Sequence, residues 1–304
     1  MRESRLVAEI IAHNAELARC GGAQVIVPPG DDMALVMLGG GRVLVAADQV
    51  IAGRHFVPGT PMTLVGRKAL ARNISDIAAM AAVPACAVAT LAMPAGMSEA
   101  DVLALGEGLR SAAAEFRCPV VGGDIGTHAV PGAPLVVSVT VLAEPGPSGR
   151  VVTRAGARHG DLLCVTGELG AGWSPDGGGR HLGFRPRVSE ALELVAALGD
   201  RLHAMIDVSD GLGSDAAHLA AAAGLGVVID GDRLPKAPGS SWRQATCAGE
   251  DYELAFACAG DPPDSVAGTP VTVIGRFASG APRVSVAAEG AVHDITGGGW
   301  EHGA

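Results

Sequence analysis

Apolar, strand-like runs alternate along this chain with alanine-rich helical segments, and many of the runs end on a glycine or an aspartate. Such alternation confines the chain to α/β or α+β architectures. Strands covered by helices read as continuous apolar runs, whereas helices carry a 3.6-residue pattern. "MALVML" (33–38) and "RVLVAA" (42–47) flank "GGG" and predict a hairpin with a glycine loop. "CAVATLAM" (86–93) and "PLVVSVTVLAE" (134–144) predict further strands. "CPVVGGD" (118–124) predicts a short buried strand entering a glycine turn. Thr60 and Pro61 open a helix expected to reach about Ala81. Ser98 with Asp101 signals a capped helix to about Phe116, and Leu6, Ile10 and Leu17 give residues 4–19 a helical pattern.

The segment "EPGPSGR" (144–150) breaks this texture and reads as a linker. It divides the chain into two expected α+β domains, 1–148 and 149–304. In the second, "DLLCVTG", "AMID", "GVVID", "YELAFAC", "VTVIGRF" and "RVSVAA" predict strands, and residues 186–198 and 212–223 predict helices. Residues 172–183, "GWSPDGGGRHLG", read as a mobile loop, and Pro235–Gly249 as a short linker.

Composition narrows the function. A net charge of −10 without a basic run argues against nucleic-acid binding, which rests on neutralising phosphates, and suits a protein that gathers divalent cations. None of the six cysteines forms a C-x-x-C pair; in apolar surroundings they read as buried thiols of a reducing compartment. The N-terminal segment is too charged for a signal peptide. The uncharged run 77–98 contains Pro84 and Pro94 and reads as a buried helix end followed by a strand. The expectation is a soluble cytoplasmic protein.

Acids recur where strands end or glycines bend the chain: Asp31 and Asp32 after Gly30, Asp48, Asp124 in "VGGD", Asp207 and Asp210 in "DVSDG", and Glu250 and Asp251 in "AGED". Asp76, in "NISDIAAM", falls inside a helix. Each alone is an ordinary turn or cap residue. Together they suit phosphoryl transfer, in which Mg²⁺ bridges protein carboxylates and substrate phosphates. No Walker A sequence is present, since "VGRKAL" lacks both the first glycine and the Ser/Thr after Lys68. No G-x-G-x-x-G follows a strand, and the nine histidines show no zinc-protease spacing.

The ordered set "GDDMALV", "DQVIAGRHF", "GRKALARNISDIAAMAAVP", "VGGD", "TRAGARHGDLLCVTGELG", "DVSDGLGSD" and "AGEDYELAF" closely resembles the thiamine-monophosphate kinases, of the aminoimidazole-ribotide-synthetase-like (AIR synthase-related) superfamily. The likeness runs from about residue 4 to 300. It implies a two-domain α/β fold whose N-terminal strands pair with a second subunit in a barrel-like interface, hence a homodimer. It implies ATP and Mg²⁺ as co-substrate and cofactor, and thiamine monophosphate as phosphate acceptor. Asp31, Asp48, Asp76, Asp124, Asp207 and Asp210 match the family's Mg²⁺ ligands, with Asp31 facing the metal and Asp32 supporting it. Asp31, Asp124 and Asp210 stand as the catalytic set. Gly123, Asp124, Arg154 and Ser209 match nucleotide contacts; His55, Glu250 and Trp300 match substrate contacts. The family usually has Ser-Thr where this chain has Ala46 and Ala47, and Gly where it has Ala81. Two other readings stay open: a superfamily enzyme acting on another phosphorylated substrate, and a non-catalytic nucleotide-binding relative.

Overall fold

Two sheets, each with its own helices, organise the chain in a computed structural model that describes residues 24–174 and 176–300, together with residues 6, 9, 10 and 12. The expected N-terminal helix lies mostly outside the described residues. The first sheet comprises β1 (Gln24–Val27), β2 (Ala34–Leu38), β3 (Gly41–Ile51), β4 (Ala82–Met93), β5 (Val120–Thr127) and β6 (Val136–Pro145), in the order β1-β2-β3-β6-β4-β5. Neighbours are antiparallel except β4 and β5.

Helices α1 (Met62–Ala79) and α2 (Glu99–Glu115) cover one face of this sheet. Pro61 sits at the N-terminal boundary of α1, and the Ser98 hydroxyl caps α2 by accepting the Asp101 amide at 3.1 Å. The helices cross backbone to backbone. A Cβ at Gly66 would lie 2.1 Å from the Leu105 carbonyl oxygen, and one at Gly108 2.0 Å from that of Thr63. Leu70, Ile74 and Ile77 of α1 meet Val137, Val139 and Val141 of β6, all fully buried. Residues alternate across a strand, so Val136, Ser138, Thr140 and Leu142 line the opposite face, half-buried, which no helix among the described residues covers in the same way. Both outer strands, β1 and β5, end the sheet, and no sheet closes into a barrel among the described residues.

The second sheet runs β14-β13-β9-β12-β7-β10-β8, with β11 (Ser265–Val266) beside β12. Its strands are β7 (Leu162–Thr166), β8 (Leu202–Asp207), β9 (Gly226–Asp230), β10 (Leu254–Cys258), β12 (Thr269–Ala278), β13 (Val284–Ala288) and β14 (Ala291–Asp294). Only β13 and β9 run parallel. Helix α3 (Val188–Leu198) packs on one face, and α4 (Leu212–Ala223) with α5 (Trp242–Cys247) on the other. Covered on both sides, β10 is buried at every position. The α3 core also takes in Ala78 and Ala81 from the end of α1 and Val152, so it joins the two halves.

Three expectations change. The "CPVVGGD" strand is exposed along its whole length and runs straight through its glycines to Thr127. The end of the expected loop is packed in: His181 is fully buried and Leu182 nearly so. The expected linker 235–249 contains α5, whose Ser241 and Gln244 form a reciprocal capping box. No helix among the described residues is long and apolar enough to cross a membrane.

Candidate functional site

The carboxylates of Asp32, Asp76 and Asp207 each place an oxygen within 4.8 Å of the others. Three separate elements supply them: the turn before β2, the last turns of α1, and the end of β8. Asp207 accepts the Ser75 hydroxyl at 2.6 Å. Burial and the Asp32 charge push the Asp207 carboxyl up to about 7. Burial, then the charges of Asp48, Asp207 and Asp32, push Asp76 well above the usual carboxylate range. Asp32 binds the Arg154 guanidinium at 2.6 Å through Oδ1, while its buried Oδ2 has no hydrogen-bond partner among the described residues.

This arrangement fits a divalent cation. The donors are all oxygen, the set favoured by Mg²⁺. With Asp48 alongside, four carboxylates face two arginines, Arg154 and Arg72, and one oxygen is left bare in a buried place. A cation would supply what these groups lack.

Asp32, not Asp31, shares the cluster. Asp31 turns instead toward backbone, accepting the amides of Asp32 at 3.1 Å and Arg154 at 3.1 Å. Burial and the neighbouring Asp32 charge push its carboxyl up to about 6. Asp48, on β3, pairs with Arg72 of α1 at 3.2 Å, and its amide donates to Asn73 Oδ1. Asp210 follows β8; its amide and that of Gly211 donate to the buried Asp215 carboxylate. Burial and the Asp210 charge push Asp215 well up.

Asp124 stands apart from the cluster. The register Gln49–Ser138–Thr90–Asp124 crosses three strand spacings, about 14 Å. Its row lies on the uncovered face of the first sheet, whereas Asp48 lies on the helix face. Gly123 is required where it is: a Cβ there would lie 1.7 Å from the Ala89 carbonyl oxygen. Beside it, a groove of about 990 Å³ opens between α2 and β5, lined by Val102, Leu105, Leu109, Arg110, Gly123 and Asp124.

The remaining expected residues converge beside the cluster. The Glu250 amide donates to the Ser209 carbonyl at 2.6 Å, and the Trp300 amide to the Asp210 carbonyl at 2.8 Å. Arg54 lies 5.9 Å from the Trp300 ring centroid, next to His55. His55 is buried, its Nδ1 accepting the Ile51 amide at 2.9 Å. Glu250 and Tyr252 both adopt left-handed backbone, φ 56° and 53°, conformations that non-glycine residues rarely hold.

Sequence reasoning missed two residues here. Lys68, fully buried on α1, donates to Glu250 Oε2 at 2.5 Å and to the His55 carbonyl at 2.7 Å. His181 Nδ1 lies 2.7 Å from the Lys68 ammonium and 2.9 Å from Glu250 Oε2. A lysine among the apolar positions Val65, Ala69 and Leu70 is a signal the helical pattern carried; nothing local marks His181.

Comparison with known proteins agrees with this architecture. Residues 30–144 match the AIR synthase related protein, N-terminal domain, and residues 158–280 the corresponding C-terminal domain. The fold and the acidic junction thus place the chain in the AIR synthase related class. The chain is 34% identical to the thiamine-monophosphate kinase of Rhodopirellula baltica, over 83% of this chain and 84% of that one. It is 36% identical to that of Mycobacterium tuberculosis, over 88% and 84%. Among solved structures it is similar to AaThiL complexed with AMPPCP and TMP (TM-score 0.79, 27% identity, 99% of both chains). It is also similar to the thiamine-monophosphate kinase of Stenotrophomonas maltophilia (TM-score 0.72, 31% identity, 93% and 97%). The chain belongs to the thiamine-monophosphate kinase family.

Proposed function

We propose that this protein transfers the terminal phosphate of ATP to thiamine monophosphate, giving thiamine diphosphate and ADP. The Asp32–Asp76–Asp207 cluster carries the reading: a surplus of partly buried negative charge where the two halves meet. It is supported by likeness over 99% of the chain to a structure complexed with AMPPCP and TMP. Mg²⁺ bound there would offset charge on the transferring phosphoryl group and align the two phosphates. Asp32, Asp76 and Asp207 would hold it, with Asp31, Asp48 and Asp210 around them. Arg154, anchored to Asp32, presents a permanent charge to phosphate oxygens. An acceptor phosphate oxygen attacks the terminal phosphorus in line; the bond to the bridging oxygen breaks, and ADP leaves. Ser209 lines the nucleotide side. His55, Glu250 and Trp300 bound the acceptor, and the Trp300 face suits a cationic thiazolium.

Asp124 and Gly123 enter the reading through a second copy. Among the described residues no helix covers the second face of the first sheet, and β5 is an edge strand with Val121 and Ile125 exposed. Exposed apolar edges invite pairing. A two-fold dimer through residues 1–148, its strands meeting in a barrel-like interface, would cover that face. Asp124 of one copy would then complete the cluster of the other, with the nucleotide base in the groove beside β5. Residues 149–304 form the second domain. A reducing cytoplasm suits both ATP and the free thiols.

Product analysis with ATP, Mg²⁺ and thiamine monophosphate tests the activity; absence of thiamine diphosphate at any Mg²⁺ concentration would sink it. ADP release with a different phosphorylated acceptor would favour another superfamily enzyme. A nucleotide-induced rise in melting temperature without ADP would favour a binding protein. Complementation tests the dimer: Asp76→Asn and Asp124→Asn, each inactive alone, should regain activity when co-expressed, because a mixed dimer holds one intact site. Continued inactivity of the mixture would place Asp124 within its own chain's site.

A further inference from the structure

The Lys68 ammonium has three partners and no solvent. Its Nζ lies 2.7 Å from the His55 carbonyl, 2.5 Å from Glu250 Oε2 and 2.7 Å from His181 Nδ1. An ammonium has three protons, so this set satisfies it. The three partners come from three distant stretches: the turn after β3, the segment 172–183, and the segment before β10. Trp173 closes the group, stacked on His181 at 4.2 Å between centroids, with the Lys68 ammonium 5.5 Å from its ring. Glu250 keeps its side chain partly exposed, at 17%.

We propose that Lys68 is a positioning residue for the phosphate acceptor: one buried ammonium fixes the Glu250 carboxylate and the His55 turn together and locks the Trp173–His181 segment against them. The proposal rests on the kinase reading above, in which His55 and Glu250 bound the acceptor. Lys68 reaches the acceptor only through them, since it has no exposed surface.

Electrostatics agree with the geometry. Burial pushes Glu250 up, yet the adjoining His181 ring and the Lys68 charge outweigh it and hold the carboxyl at about 2. Burial pulls the Lys68 ammonium down to about 8, against the raising effect of Glu250 and with the added repulsion of Arg72. The groups facing Lys68 are therefore Glu250, His181 and Arg72. As pH rises through about 8, Lys68 loses its proton while Glu250 stays charged. The carboxylate then loses its clamp.

The test compares KM for thiamine monophosphate with KM for ATP in wild type, Lys68→Met, Glu250→Gln and the double variant. Lys68→Met should raise the acceptor KM about tenfold or more, the scale of one charge-assisted hydrogen bond, and leave the ATP KM unchanged. The double variant should be somewhat worse than Glu250→Gln alone, through the freed His55 turn, but better than the product of the two single losses, because Lys68 acts in part through that carboxylate. In wild type the acceptor KM should climb above pH 8, and in Glu250→Gln that climb should vanish. Should Lys68→Met fail to fold, the double variant, which buries no unpaired charge, is read against Glu250→Gln. An unchanged acceptor KM in Lys68→Met, a double variant no worse than Glu250→Gln, or single losses that multiply in full would overturn the proposal. Inactive wild type would instead overturn the kinase reading, so the two failures are distinct.

Discussion

Two groups of buried acids sit in the same half-turn of the fold, and they are built oppositely. Asp251 and Glu253 are almost fully buried, like Asp207, but each carboxylate is answered. Asp251 accepts the amides of Gly170, Ala171 and Gly172 and the Arg180 guanidinium. Glu253 accepts the Thr166 hydroxyl at 2.8 Å and both arms of Arg187 at 2.6 and 2.7 Å. Glu190 joins through Arg187 and Thr269. The Asp32–Asp76–Asp207 group is bound by one arginine and one serine, shares the charge of Arg72 with Asp48, and keeps a bare oxygen. A satisfied network holds a fold in one arrangement, whereas an under-compensated one marks a place that awaits positive charge. Burial and acidity alone do not separate the two; the partner inventory does.

The sharpest way to break this contrast is Asp76→Asn. It should cut turnover by about 10²–10³, as loss of an electrostatic contact to a transferring group does, without lowering the melting temperature. Unchanged turnover would remove Asp76 from the site. Arg187→Met should act the other way. Glu253 then keeps only the Thr166 hydroxyl and Arg180 at 3.7 Å, which should cost about 3 kcal/mol, read in urea melts, while the folded fraction keeps its activity. Asp251→Asn keeps one acceptor oxygen and should cost about 1 kcal/mol in the same assay. The smallest effect concerns pH. Asp31 and Asp207 titrate higher folded than unfolded, at about 6 and 7, so the folded state binds more protons between pH 4 and 7. Metal-free stability should therefore fall as pH rises through that window. Mg²⁺ should raise the melting temperature more at pH 7.5 than at pH 5. Equal shifts at both would argue that the cation binds elsewhere.

Much of the fold was legible because strands and helices here are strongly patterned. The α4 and β9 boundaries agree with the reading of 212–223 and "GVVID". Helix α5 escaped because six residues carry too little periodicity, although Ser241 and Gln244 already spelled its cap. The burial expected for β5 came from its apolar letters, but composition does not place a strand at the edge or in the middle of its sheet, and β5 lies at the edge, exposed at every position. Asp31 and Asp32 could not be ranked, since neighbouring side chains on one turn differ only in which way the backbone sends them. The Ala81 departure is intelligible afterward: it sits just past α1 at φ 52°, a left-handed position where glycine is at ease.

Helix α1 touches nearly every part of this molecule. Gly66 meets α2, Lys68 the His55–Glu250 pocket, Arg72 and Asn73 strand β3, Ser75 and Asp76 the acidic cluster, and Ala78 the core that joins the halves. Lys68 and Asp76 are separated by eight residues, about 12 Å of helix axis. That length makes α1 a ruler. On the proposed reading it would set the span between the pocket for a ring and the place where phosphates meet, so an acceptor would be measured by how far its phosphate stands from its recognised end. A one-residue insertion between Lys68 and Asp76 would turn the two ends about 100° apart, and the gauge would read no substrate at all.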